Sequence, residues 1–172
     1  EIRSKLGEGA TSIVYLGYDN FAEREVAVKA IFPEVLRDKE RGKLYRNLLM
    51  TEASLAGKLM HPHIVQIFFV FLSEDQSYIV MEYVKGGTLE PFCSPSTLLP
   101  VDRLVEIIFK CTRALDYAFR AGITHRDIKP ANILLVNSGD SENRVSGDIK
   151  ISDFGAAMLS SASDMLGTAT TS

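Results

Sequence analysis

The sequence predicts an α+β fold in two parts: a small antiparallel sheet carrying one helix, then a mainly helical region. Three observations predict it. Short β-branched runs with period-two alternation fill much of the first 84 residues. A charged stretch with leucines near helical spacing interrupts those runs. Beyond residue 100 a long amphipathic run begins, of the kind that makes a helix with one buried face.

The elements follow in order. Ile13 to Tyr18 alternate after a glycine-containing turn, and Val26 to Ile31 form a second β-branched run, with a polar hairpin over Phe21 to Glu25 between them. Two or three antiparallel strands are expected over residues 1–32. Residues 36–60 are dense in charge, and Leu48, Leu55 and Leu59 recur near helical spacing, so one amphipathic helix is expected there, with Gly42 its weak point. Residues 64–72 and 77–84 read as two strands joined by a tight turn at Ser73 to Gln76. About five strands and one helix result. Lys85-Gly86-Gly87-Thr88 then breaks the pattern and marks a hinge between residues 1–84 and 85–172. From Val101 to Ala121 the residues Leu104, Ile107, Ile108, Cys111, Leu115 and Ala118 share a helical face, with Asp102 as the expected cap and Gly122 as the stop. Ile133 to Val136 and Asp148 to Ile151 form a short hairpin whose tip is the Ser-, Asn-, Asp- and Gly-rich stretch between them.

Composition narrows the function. Of 172 residues, 46% are apolar and 24% charged, which suits a packed core and argues against disorder. Nineteen basic against 22 acidic residues give a net charge of −3, and a nucleic-acid binder would be expected to show a basic excess. Cys93 and Cys111 are too few for a disulfide scaffold and read as reduced thiols of a cytoplasmic-type compartment. No run of about 20 apolar residues could cross a bilayer. The chain opens on Glu1 with neither an initiator Met nor a signal-peptide pattern, so it is expected to be a piece of something longer.

Four constellations carry chemistry. In Gly7-Glu8-Gly9-Ala10-Thr11-Ser12 the glycines would let backbone amides approach phosphate oxygens, and the alternating run that follows points to a turn between two strands lying over a nucleotide. The bland alternative is an ordinary hairpin turn. Lys29 ends an apolar strand run, where its ammonium could hold polyphosphate oxygens if a carboxylate fixed it. Glu52, in the expected helix, is the candidate. The alternative is a lysine reaching from a strand end to water. His125-Arg126-Asp127-Ile128-Lys129-Pro130-Ala131-Asn132 occupies a loop, and Asp127 with Asn132 could offer a base and a metal ligand to one phosphate. Asp153-Phe154-Gly155 places a carboxylate at a strand end beside a flexible glycine, which suits a Mg²⁺ ligand bridging phosphate oxygens.

Taken in this order, the glycine turn, Val26-Ala27-Val28-Lys29, a helix glutamate, the His-Arg-Asp loop and Asp-Phe-Gly resemble the eukaryotic-type protein kinase family over essentially the whole chain. The resemblance implies a bilobal protein-kinase-like fold: residues 1–84 as the N-lobe and residues 85–172 as part of the C-lobe. Lys129-Pro130 resembles the serine/threonine subgroup. By the same resemblance, ATP and Mg²⁺ are the expected cofactors and a protein Ser or Thr hydroxyl the expected acceptor. The residues Gly7, Glu8, Gly9, Ala10, Thr11 and Ser12 would cover the phosphates. Lys29, oriented by Glu52, would hold the α and β groups, and Asn132 and Asp153 would bind the metal. Asp127 would accept the hydroxyl proton, with Lys129 at the γ-phosphoryl group. Met81 occupies the gatekeeper position, Glu82 to Val84 the adenine-contacting hinge, and Val14, Ala27 and Leu134 would sandwich the ring.

Three departures accompany the resemblance. Ser12 replaces the third glycine. The segment between Asn132 and Asp153 is long, implying an insertion at the hairpin tip. The chain stops at Ser172 without an Ala-Pro-Glu motif, so roughly a third of a kinase domain is expected to be missing and the exposed helix to aggregate. In the family, Arg126 pairs with a phosphorylated residue of the activation segment, for which Thr168, Thr170 and Thr171 are the candidates. A nucleotide-binding pseudokinase would share the fold but lack one of Lys29, Asp127 or Asp153, and a small-molecule kinase would seldom keep all these motifs.

Overall fold

The computed structural model describes residues 1–37, 42–43, 46, 49–50, 54, 57–73, 75–137 and 148–154. These fall into two compact units, one drawn from Glu1–Lys58 and Gln66–Tyr83, the other from Leu59–Val65 and residues from Val84 onward.

The first unit is a five-stranded antiparallel sheet in the order β1-β2-β3-β5-β4. Its strands are β1 (Ile2–Glu8), β2 (Ser12–Asp19), β3 (Arg24–Ile31), β4 (Ile67–Leu72) and β5 (Ser77–Glu82). The β2–β3 turn is closed by Asp19, whose Oδ1 accepts the backbone N–H groups of Phe21 (3.0 Å) and Ala22 (3.1 Å). That local bond is why an Asp ends the strand here. The β4–β5 turn works similarly: Ser73 Oγ donates to Gln76 O (2.7 Å) and accepts from Gln76 N (3.0 Å). Ile31, Leu36, Leu49 and Ile79 form the buried core of the unit, with Val35, Ile67, Val70 and Leu72 against it.

Three boundaries differ from expectation. Helix is present from Pro33, in the short α1 (Pro33–Arg37), and Leu36 is fully buried. Proline at a first helical position is favoured because its φ is pre-set and its missing N–H is needed by nothing. The described residues from 42 to 54 are helical, but Gly57 and Lys58 form a turn, so the helix does not run to residue 60. Glycine has low helix propensity, and the chain turns there. Strand β4 likewise starts at Ile67, not at residue 64. The residues before it bond elsewhere, Val65 N to Ile151 O at 2.9 Å.

The second unit is built on α2 (Val101–Arg120) and the antiparallel hairpin of β6 (Ile133–Leu135) and β7 (Ile149–Ile151). The loop at residues 61–65 joins it through an Ile64–Ile151 bridge and the His63 carbonyl, which accepts from Ile151 N at 2.9 Å. The hairpin tip, residues 138–147, lies outside the described residues. Helix α2 buries Ile107, Cys111, Ala114 and Ala118, a narrower stripe than expected. Leu104 and Ile108 remain 40% and 56% exposed, because α2 packs on a short hairpin that covers only part of its apolar face. Asp102 does not cap the helix. Pro100 is the cap residue without a side-chain bond, and Asp102 sits in the first turn, where its charge favours the helix dipole. Gly122 does end the helix: its φ is +79°, its N–H donates to Phe119 O (2.9 Å), and Ile123 N donates to Ala118 O (2.9 Å). This is a Schellman closure, which needs a residue tolerant of positive φ.

Candidate active site

The glycine turn joins β1 to β2 and is closed by Gly9 N donating to Ser12 O at 2.8 Å. Ser12, in place of a third glycine, is buried, and the Thr11 carbonyl accepts from Phe32 N at 2.9 Å. Register assigns the side chains of this unit to faces, since directly paired residues share one. Val14 pairs with Lys29, Leu16 and Met81 each with Ala27, and Ile79 with Lys29. Val14, Ala27, Lys29 and Met81 are therefore on one face. Glu8 pairs with Ile13 and Lys5 with Tyr15, on the opposite face. There Lys5 Nζ pairs with the Glu8 carboxylate. Glu8 thus contributes backbone, not its side chain, to the face that carries Lys29. Glu82 is also on the opposite parity. Its N–H donates to Gln66 O (2.8 Å), while its carboxylate accepts from Gln66 N (3.3 Å). Glu52, the expected partner of Lys29, lies outside the described residues.

In the second unit the chain between α2 and β6 is fixed by side-chain-to-backbone hydrogen bonds. Asn132 is buried, and its Nδ2 donates to both the Asp127 carbonyl (2.8 Å) and Asp127 Oδ2 (3.1 Å). Lys129 Nζ lies 2.8 Å from the same Oδ2. The Lys129 ammonium above all holds the Asp127 carboxyl below the usual carboxylate range; burial opposes it, and the Asn132 amide adds to the lowering. Asp127 reciprocally raises the Lys129 ammonium above its ordinary value. The result is a carboxylate kept ionised beside a lysine kept charged.

His125 anchors the loop from beneath. It is 2% exposed, accepts from Asp127 N through Nδ1 (3.2 Å), and donates from Nε2 to Ser152 O at 2.8 Å. Phe154 packs edge-on to its ring at 4.6 Å. Ser152 N also donates to Asn132 O at 2.9 Å, so the residue before Asp153 is tied to the residue expected to bind metal with it. Arg126 and Asp153 have φ of 60° and 58°. Left-handed backbone at non-glycine residues is strained, and it persists where surrounding bonds over-determine it. Leu134 is half-buried between the buried Ile133 and Leu135, and pairs with Thr88. Val84 is half-buried.

With Nδ2 of Asn132 committed to Asp127, its Oδ1 remains the group suited to a cation, and Asp153 offers a carboxylate. Such hard oxygen donors fit Mg²⁺, which typically takes one or two protein oxygens and completes its shell from phosphates and water. Among the described residues no three His, Cys, Asp or Glu side chains form a metal cluster.

A family model described as "Protein kinase domain" matches residues 1–172. A probable serine/threonine-protein kinase of Clostridium acetobutylicum is 33% identical over 163 residues, which cover 95% of this chain and 23% of that protein. The chain spans about a quarter of the length of the curated relatives it matches. Among solved structures, the PknI kinase domain of Mycobacterium tuberculosis is 31% identical with a TM-score of 0.70, over 90% of this chain and 58% of that one. Rad53 residues 1–466 in complex with AMP-PNP is 29% identical with a TM-score of 0.70, over 89% of this chain and 37% of that one.

Proposed function

The chain belongs to the protein kinase domain family, and on that premise we propose that it carries the phosphoryl-transfer chemistry of a serine/threonine kinase acting on proteins. The observation that carries this reading is the Asp127–Lys129–Asn132 arrangement, in which one carboxylate oxygen meets both an ammonium and an amide.

In this reading the acceptor is a Ser or Thr hydroxyl. Its oxygen attacks the γ-phosphorus of ATP, the bond to the departing ADP oxygen breaks, and the hydroxyl proton passes to Asp127. The depressed Asp127 pKa keeps the carboxylate ionised and able to orient the hydroxyl. Lys129 neutralises charge at the transferring group. Lys29 steadies the α- and β-phosphates with Glu52 as its orienting partner, and the amides of Gly7 to Ser12 cover them. Val14, Ala27, Met81 and Leu134 take the adenine ring. Backbone of Glu82 and Val84 supplies its polar contacts. Asn132 and Asp153 would hold Mg²⁺, which when bound neutralises phosphate charge. Because the chemistry is mostly positioning and charge, these fixed groups account for most of the rate. The AMP-PNP complex of the Rad53 neighbour supports the choice of nucleotide.

Arg126 is exposed next to Asp127, which supports a role in pairing with a phosphorylated Thr168, Thr170 or Thr171; these threonines lie outside the described residues. The free thiols of Cys93 and Cys111 suit a cytoplasmic setting, and among the described residues no helix is long and apolar enough to cross a membrane. The test is transfer from radiolabelled Mg-ATP by the full-length chain to a pool of Ser, Thr and Tyr peptides. Label on Ser and Thr is expected. Label on Tyr alone, or on none with ATP bound, would refute the reading.

A further inference from the structure

This inference rests on reading Gly7 to Ser12 as the turn that covers a triphosphate. We propose that Lys5 is a positioning residue for the nucleotide. By pairing with Glu8 on the outer face of the β1–β2 hairpin, it keeps the turn's own carboxylate away from the face that carries Lys29.

Glu8 stands between the two glycines whose amides would approach phosphate. A carboxylate there has the wrong charge for a polyanion, and its effect depends on where the side chain is held. In a regular strand, residues three apart point to opposite faces, so Lys5 and Glu8 should not meet. Strand β1 shifts register between Lys5 and Gly7, and the shift places Lys5 opposite Tyr15 and Glu8 opposite Ile13. Those two β2 residues alternate with Val14, which shares its face with Lys29. An irregularity of this kind re-aims a side chain without ending the strand. Here it brings Lys5 Nζ onto the Glu8 carboxylate. Both side chains are about half exposed, 52% and 50%, so the pair is weak as a stabiliser of the fold. Its consequence is directional. Lys5 offsets the Glu8 charge and holds it on the face away from the phosphate-binding lysine, without touching the nucleotide.

The experiment compares binding of ATP with that of adenosine, which has no phosphates, to the full-length chain. Lys5→Ala is expected to weaken ATP about three-fold, the scale of an exposed charge interaction, and to leave adenosine unchanged. Adding Glu8→Gln to Lys5→Ala should return ATP affinity to that of the unaltered chain, and added salt should shrink the difference. Equal loss of both ligands would make Lys5 a structural residue and overturn the proposal. So would failure of Glu8→Gln to rescue, or ATP binding that Lys5→Ala leaves untouched. An unaltered chain that binds adenosine but not ATP would defeat the triphosphate reading itself, and this inference with it.

Discussion

Two segments of the molecule carry paired glycines for opposite reasons. In the β1–β2 turn, a Cβ added at Gly7 would meet nothing within 4 Å, and one at Gly9 would meet only Ser12 O at 3.9 Å. In the Lys85–Thr88 segment, a Cβ added at Gly86 would lie 1.8 Å from Leu135 O. That segment runs beside β6, with Leu135 N donating to Gly87 O and Asn137 N to Lys85 O, both at 2.8 Å. The close approach of two backbones excludes any side chain at Gly86. The protein itself makes no such demand at Gly7. The fold therefore requires a glycine at Gly86 and makes no such steric demand at Gly7 or Gly87.

The comparison holds only if the glycine turn belongs to a phosphoryl-transfer site, and its hardest test removes that chemistry. Lys29→Met and Asp127→Asn, one in each unit, should each lower peptide phosphorylation by about 10²–10³-fold or more, the usual scale for losing one preorganised electrostatic partner. Near-normal turnover by either would break the assignment. Next in size is Gly86→Ala, which should destabilise the protein by about 3 kcal/mol, as forced overpacking does. Chemical denaturation would measure it, and Gly87→Ala, with nothing within 4 Å of its added Cβ, is the internal control. Gly7→Ala should change stability by less than about 0.5 kcal/mol while weakening ATP binding. A large loss of stability there would erase the contrast.

The smallest effect concerns the loop at residues 61–65. His61 Nδ1 accepts from His63 N at 3.1 Å, and its ring lies 5.1 Å from that of Tyr117. Burial first, then the charges of His63, Arg113 and Lys150, push its pKa below 6.5. The folded protein thus resists a proton that the unfolded chain takes up. Its contribution to stability is complete above about pH 6.5 and is lost as the pH falls through the lowered value. Denaturation midpoints followed from neutral into acid should decline, and His61→Asn should flatten that decline. An unchanged slope in the variant would exclude His61 as the source.

Much of this was legible from residue order. Alternation located β2, because a half-buried strand must present every second side chain to the core, and short β-branched or apolar runs bounded by turn residues located β3 and β5. The His125-to-Asn132 loop was legible because its chemistry needs particular side chains at particular spacing. The failures share a different origin. Leu104 and Ile108 fall on the same predicted stripe as Ile107 and Cys111, yet only the latter pair is covered. Asp102 looked like a cap, but the helix starts at Val101, one residue before it. The Lys5–Glu8 pairing was invisible because an irregularity in β1 overrides the period from which faces are read.

By itself, the sequence determined which segments are strands, which loop carries the ionisable groups, and the family, because those depend on local periodicity and on residue identity at fixed intervals. Only tertiary structure decided that Gly86 is required by packing while Gly7 is not, that Glu8 and Lys29 occupy opposite faces, and that Asn132 spends its amide on Asp127. Each of these depends on how closely separate stretches of backbone approach, and that distance is set by the packing of the whole unit.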